Sequence, residues 1–189
     1  MLLHSRNSRK PMQVLRLALA GVVQGGALLA GSVAHADQPN KFVMTAYENS
    51  AGGDSIVSGD YATALAKMRY AHSDDSAITT NKCVAYTMTA QFATARSMCD
   101  DAVTEAKKDL LHSSSVSLWE RGMLEQSLAI AYSNRAVLDW LSHDPSAAER
   151  DLSDAQALSP QGDYVAHNVN ALHSPHAENT VAQVEAPRS

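Results

Sequence analysis

Residues 133–160 read SNRAVLDWLSHDPSAAERDLSDAQALSP, and this stretch decides the fold. Its centre, His143-Asp144-Pro145, is a corner. Asp144 can cap a helix with its carboxylate, and the fixed φ of Pro145 suits a first helical position. Beyond it, Ala148, Leu152 and Ala155 recur at i, i+4 and i+7, a single stripe on a 3.6-residue helix. Ahead of it, Val137, Leu138 and Leu141 close an apolar pattern that starts at Ser117 and takes in Leu118, Trp119, Met123, Leu124, Leu128, Ile130 and Ala131. Two helices across a short corner make an αα-hairpin, and alanines along the second helix let the first approach closely.

Two other stretches repeat this design. Gly59-Asp60-Tyr61-Ala62-Thr63-Ala64 and Ala90-Gln91-Phe92-Ala93-Thr94-Ala95 each begin as a turn and continue as a helix. Their stripes are Ala64/Met68/Ala71 and Ala95/Cys99/Ala102. A helical pattern from Ile78 to Met88 precedes the second and ends at Thr89-Ala90-Gln91. Gly52-Gly53 argues against a full helix before the first. Asn134 and Asn168 lie 34 residues apart and Asn81 and Asn134 lie 53 apart, so a 34-residue period requires about 19 extra residues between the latter pair. Lys107 to Val116 and the start of the following helix are the candidates.

The unit Ser133-Asn134-Arg135-Ala136, His143-Asp144, Ala148, Leu152, Ala155, Leu158, Ser159 and Pro160 resembles a tetratricopeptide repeat. The unit around Asn81, Cys83, Tyr86, Phe92, Ala95 and Ala102 is similar, but has Lys82 where leucine is usual and Cys83 where glycine or alanine is usual. The resemblance covers residues 55–172. It implies an all-α fold, a right-handed stack of about three antiparallel helix hairpins, closed by a capping helix over Asp163 to Leu172. An irregular helical bundle would use the same apolar stripes without explaining the repeated alanines. The segments on either side read differently: residues 37–54 as poorly structured, and residues 173–189, with Pro175, Pro187 and few apolar side chains, as a disordered tail.

The opening of the chain has the order of a secretory signal peptide. Arg6, Arg9, Lys10 and Arg16 come first, an apolar run from Leu17 to Val33 follows, and Ala34-His35-Ala36 ends it, which predicts cleavage after Ala36 and removal of residues 1–36. An uncleaved anchor is the alternative, but the run is short and rich in glycine. The expected compartment is therefore periplasmic or secreted, with no stable membrane span after cleavage. The 189 residues carry a net charge of −5, and −9 without the leader, so a nucleic-acid-binding surface is not expected.

Cys83 and Cys99 stand eight residues on either side of Gln91. In an antiparallel hairpin they share one height, about 12 Å above the corner, and an oxidising compartment would keep them joined. Two free thiols serving as small core residues are the alternative. Through the resemblance, Asn81, Asn134 and Asn168 face the concave side, where an amide can pair with both the N–H and C=O of a peptide backbone. Val137 and Trp140 would add an apolar strip beside them. Asparagines bonding only between neighbouring repeats are the alternative. Tyr47, Tyr61, Tyr70, Trp119 and Trp140 are expected in the layers between hairpins.

His167, His173 and His176 are unevenly spaced, so no metal site or cofactor is expected. Asp74-Asp75 reads as a helix start and Asp100-Asp101 as a solvated face. No phosphate-loop, zinc-protease, nucleophile-elbow or dinucleotide motif occurs, so no catalytic residue is assigned. The expected function is non-catalytic binding of a protein or peptide in the cell envelope. An envelope enzyme on an irregular bundle, and a structural or stress protein without a dedicated ligand, are the rivals.

Overall fold

The structure, a computed structural model, describes residues 41–71, 75–113, 116–174 and 181–187, without the side chains of Ala182 and Gln183. The element order is β1 (Phe42–Thr45), α1 (Gly53–Val57), α2 (Tyr61–Lys67), α3 (Ser76–Met88), α4 (Phe92–Leu111), α5 (Leu118–Leu141), α6 (Pro145–Leu158), α7 (Asp163–His173) and β2 (Val181–Glu185). The chain is mostly helical, and consecutive helices pack on one another. Residues 1–36, with the expected cleavage point at Ala36, lie outside the described residues. Among those described, no helix is long and apolar enough to cross a membrane.

Three corners share one geometry. At each, a residue in the left-handed region follows the first helix: Gly59 (φ 83°), Ala90 (φ 56°) and His143 (φ 63°). Its N–H donates three residues back, to Ile56, Thr87 and Trp140, at 2.9, 2.9 and 3.0 Å. The next N–H donates five back, from Asp60 to Ser55, Gln91 to Tyr86 and Asp144 to Asp139, at 2.8, 2.9 and 2.9 Å. This pair of bonds is the Schellman motif, which satisfies the last carbonyls of a helix. Asp60 and Asp144 then cap the next helix by accepting from Thr63 and Ala147, whereas Gln91 makes no side-chain cap. Asp75 and Ser117 cap α3 and α5, the latter through a capping box with Glu120. Asp74 lies outside the described residues.

The alanine seams are buried. Ala95, Cys99 and Ala102 on α4, and Ala148, Leu152 and Ala155 on α6, are no more than 1% exposed. Ala64 on α2 and Met68 at its C-cap are buried with them, while Ala71, past the end of that short helix, is half-buried. Cys83 and Cys99 form a disulfide between α3 and α4 with their Cα atoms 4.7 Å apart. In the chain-entropy picture, closing a loop of this length is worth on the order of 3 kcal/mol.

The expectations for the flanks need correction. Residues 37–54 hold β1 and the start of α1, and residues 173–189 hold β2. The strands pair in parallel, Phe42 with Val181, Met44 with Val184 and Thr45 with Glu185, with an irregularity between Phe42 and Val43. Pairing and burial together stabilise two short segments, neither of which would hold alone. The aromatic expectation also fails in part. Tyr70 is 87% and Trp119 72% exposed, because α2 ends before Tyr70 and the extra length of α4 and α5 projects past their neighbours.

Candidate functional site: an asparagine ladder on an extended segment

Helices α3, α5 and α7 pack in sequence, and α5 and α7 also touch β1. Each carries one of the three candidate asparagines, and all three side chains are at most 1% exposed. They meet the backbone of residues 42–47. Val43 N–H donates to Asn168 Oδ1 at 2.8 Å, and Asn168 Nδ2 donates to the Val43 carbonyl at 2.9 Å. Thr45 is held the same way by Asn134, at 2.8 and 2.7 Å. Tyr47 is held by Asn81, at 2.8 and 3.0 Å.

The spacing follows from strand geometry. In an extended chain, the N–H and C=O of one residue point to the same side, and those of its neighbour to the other. Residues 43, 45 and 47 therefore offer donor and acceptor pairs to one edge, and a carboxamide supplies the matching acceptor and donor. Each such bond contributes roughly 1 kcal/mol net. Losing a partner leaves a buried backbone group unpaired, at about 1–3 kcal/mol each. The grip reads backbone and not side chains. Asn168 Nδ2 also donates to Ser133 Oγ at 2.9 Å, so inter-helix bonding is present beside the strand contacts.

The face expected to lie open is thus covered by the chain's own residues 42–47. Val137 is buried in one apolar cluster with Phe42, Met44 and Ala46, and the Trp140 ring packs on Phe42 with centroids 5.3 Å apart and planes 39° apart. The Trp140 indole N–H finds no acceptor among the described residues. Val43 faces a second cluster with Val103, Ile130 and Val165, as alternation along a strand requires. Sequence reasoning located the face but missed its occupant. The available signal was Phe42-Val43-Met44-Thr45-Ala46, a short run of β-prone and apolar residues ahead of a turn.

That turn needs its glycines. Tyr47 O accepts from Ser50 N–H at 3.0 Å, and Gly52 sits at φ 74°. A Cβ on Gly53 would lie 1.9 Å from the Tyr47 carbonyl oxygen that Asn81 holds. The Tyr47 hydroxyl meets Ser127 Oγ at 2.6 Å, and burial, partly offset by that bond, pushes its pKa up to about 12.

Charges tie the helices behind the ladder. Arg135 donates to Asp151 from Nε and Nη2 at 2.7 and 2.9 Å, and to Asp100 from Nη1 at 3.0 Å. Hydrogen bonding to Asp151 outweighs burial and keeps this guanidinium firmly protonated. Asp100, expected as part of a solvated face, thus joins α4 to α5. Arg96 pairs with the buried Asp139, whose carboxyl burial pushes up in pKa against the pull of that arginine.

His167 Nε2 meets the Lys41 carbonyl at 2.7 Å and His173 Nδ1 the Val169 carbonyl at 2.9 Å, while His176 lies outside the described residues. Among those described, no three His, Cys, Asp or Glu side chains gather where a metal ion could sit. A cavity of about 330 Å³ opens at the end of the strand pair, walled by Thr45, Gln126, Asp163, Tyr164, Glu185 and Pro187.

No protein-family model, curated protein or solved structure matches the chain.

Proposed function

We propose that the chain is an exported, non-catalytic binding module of the tetratricopeptide type, in which right-handed stacked hairpins organise extended polypeptide segments and engage a protein or peptide partner in the cell envelope. The observation that carries this reading is the asparagine ladder. Three buried amides pair with alternate residues of an extended backbone, a chemistry suited to sequence-tolerant capture of a strand. Similar corners at Gly59, Ala90 and His143 and the repeated alanine seams support the family resemblance. Rigid stacking lowers the ordering cost of binding. The leader-like opening and the disulfide support an oxidising, periplasmic or extracellular setting.

Capture from envelope extract tests the reading. The full chain should retain a defined partner, and Asn134→Ala or Val137→Ala should lose it while keeping their helical circular dichroism. An unchanged set of partners in both variants contradicts it. A second reading is favoured by the burial of the face itself: a structural protein whose ladder only fastens residues 42–47 to the helices. It predicts that even the unaltered chain captures nothing.

A further inference from the structure

The stripe of α5 that faces residues 42–47 is longer than the segment that covers it. Trp119, Gly122, Met123, Gln126 and Ile130 recur at i, i+3, i+4, i+7 and i+11, one face of a helix, and Asn134 and Val137 continue it. The extended segment covers the later part: Val43 shares a cluster with Ile130, Thr45 is held by Asn134, and Phe42 shares a cluster with Val137. The first two turns are open. Leu118, Trp119 and Met123 are exposed there, and Gly122 and Gln126 wall the cavity of about 330 Å³.

The open part repeats the chemistry of the covered part. Helices α5 and α7 run in the same direction: Asn168 Nδ2 donates to Ser133 Oγ at 2.9 Å, and one turn earlier in α7 the Tyr164 hydroxyl donates to the Gln126 carbonyl at 3.4 Å. Gln126 lies eight residues before Asn134, about 12 Å along the helix. Gln161 stands just ahead of α7, seven residues before Asn168, and both glutamines border the cavity. Among the described residues neither side-chain amide has a hydrogen-bond partner. Gly122 keeps the approach clear. A glycine inside a helix weakens it relative to alanine, yet a Cβ here would meet nothing within 4 Å among the described residues. What the glycine provides is close access to α5 between Trp119 and Gln126.

We propose that this open part of the face, with the cavity beside it, is the docking site for an extended peptide segment of a partner protein. Gln161 and Gln126 pair with the N–H and C=O of two residues two apart, as Asn168 and Asn134 do with Val43 and Thr45. An apolar side chain of the guest lies across Gly122 on Trp119 and Met123. This rests on the binding-module reading and names where the partner lies. The asparagine part stays filled by the chain itself, and through Thr45 it forms one wall of the site. A peptide fits better than a second copy. The extended segments among the described residues, β1 and β2, already pair with each other. The exposed apolar surface of Leu118, Trp119 and Met123 is on the order of a few hundred Å², short of the ~800 Å² that each partner gives to a stable protein interface.

The test uses the isotope-labelled full chain and a capped synthetic peptide with the sequence of residues 41–48, whose backbone paired amides already hold. The peptide should shift the indole N–H resonance of Trp119 saturably and leave that of Trp140, which packs on Phe42, in place. Gly122→Leu, which blocks the approach, and Gln126→Ala should each weaken binding at least tenfold. N-methylation of the peptide backbone from Val43 to Ala46 should abolish it. Should Gly122→Leu disturb folding, Gln126→Ala decides. The absence of a saturable Trp119 shift overturns the proposal, as does equal affinity for the unaltered chain and Gln126→Ala. A shift of Trp140 in place of Trp119 also overturns it, since the peptide would then be displacing residues 42–47. So does a Trp119 shift that follows chain concentration without peptide, the mark of a second copy. If the peptide fails while the unaltered chain still captures an envelope partner that Asn134→Ala loses, the binding-module reading survives without this site.

Discussion

The α3–α4 and α5–α6 hairpins are built on one plan and fastened differently. Moving 53 residues along the chain carries Asn81 onto Asn134, Ala90 onto His143, and the Ala95/Cys99/Ala102 seam onto Ala148/Leu152/Ala155. The same shift carries the disulfide pair Cys83 and Cys99 onto Ala136 and Leu152, which are buried together in one small apolar cluster. Lys82 maps onto Arg135. Lys82 donates to the Ala71 carbonyl at 3.0 Å, whereas Arg135 grips Asp151 and Asp100. One hairpin is closed by a covalent bond, the other by a leucine and an ionic clasp. The corner and the seam set the architecture, and the fastener at mid-height is interchangeable.

Breaking each fastener sharpens this comparison. Cys83→Ala with Cys99→Ala should have the largest effect, about 3–4 kcal/mol in chemical denaturation, from the lost cross-link and the space left behind. Placing the partner hairpin's solution there, Cys83→Ala with Cys99→Leu, should recover part of that loss. Leu152→Ala should cost about 3 kcal/mol, the lost leucine contacts plus a cavity. Equal stability of the two cysteine variants would show that the hairpins are not equivalent at mid-height.

The ionic clasp comes next. Arg135→Ala leaves Asp151, whose side chain is 9% exposed, without its partner, and should lower stability by about 1–2 kcal/mol. Asp100→Ala should cost far less, since that carboxylate is half exposed and water can replace the arginine. Equal losses would mean that burial does not govern the clasp.

A further effect concerns Tyr47, at the end of the ladder. Its pKa in the folded chain, about 12, lies above the ordinary value of 10. The protonated phenol is therefore favoured by folding, and this contribution is fully present below pH 10 and lost as pH rises through about 12. Stability should fall by roughly 1 kcal/mol between pH 9 and pH 11, relative to Tyr47→Phe. Parallel pH curves for the two proteins would contradict the burial of this hydroxyl.

Helices were legible wherever periodicity was strong. The seams at Ala95/Cys99/Ala102 and Ala148/Leu152/Ala155, the cap at Asp144, the helix start at Asp75 and the helix from Asp163 were all readable from local sequence, because helical contacts are local. The cysteine pairing was readable because equal distances from Gln91 fix a common height. The left-handed corners at Ala90 and His143 were only half legible, since neither residue is glycine and the conformation is imposed by the hairpins that meet there. The strands were not legible. Phe42 and Val181 are distant in sequence, and neither segment is long enough to announce a sheet by alternation. For the same reason Asn81, Asn134 and Asn168 could be singled out from the sequence, but the segment they hold could not.

The central claim is that three asparagines hold residues 42–47 by their backbone, and the amide hydrogen exchange of Thr45 in the unaltered chain and in Asn134→Ala tests it most directly. The account predicts a Thr45 amide protected nearly as well as the amides of α3 and α4 in the unaltered chain, and at least a hundredfold less protected in the variant while those helices keep their protection. A Thr45 amide that exchanges at the same rate with and without the Asn134 side chain would contradict it.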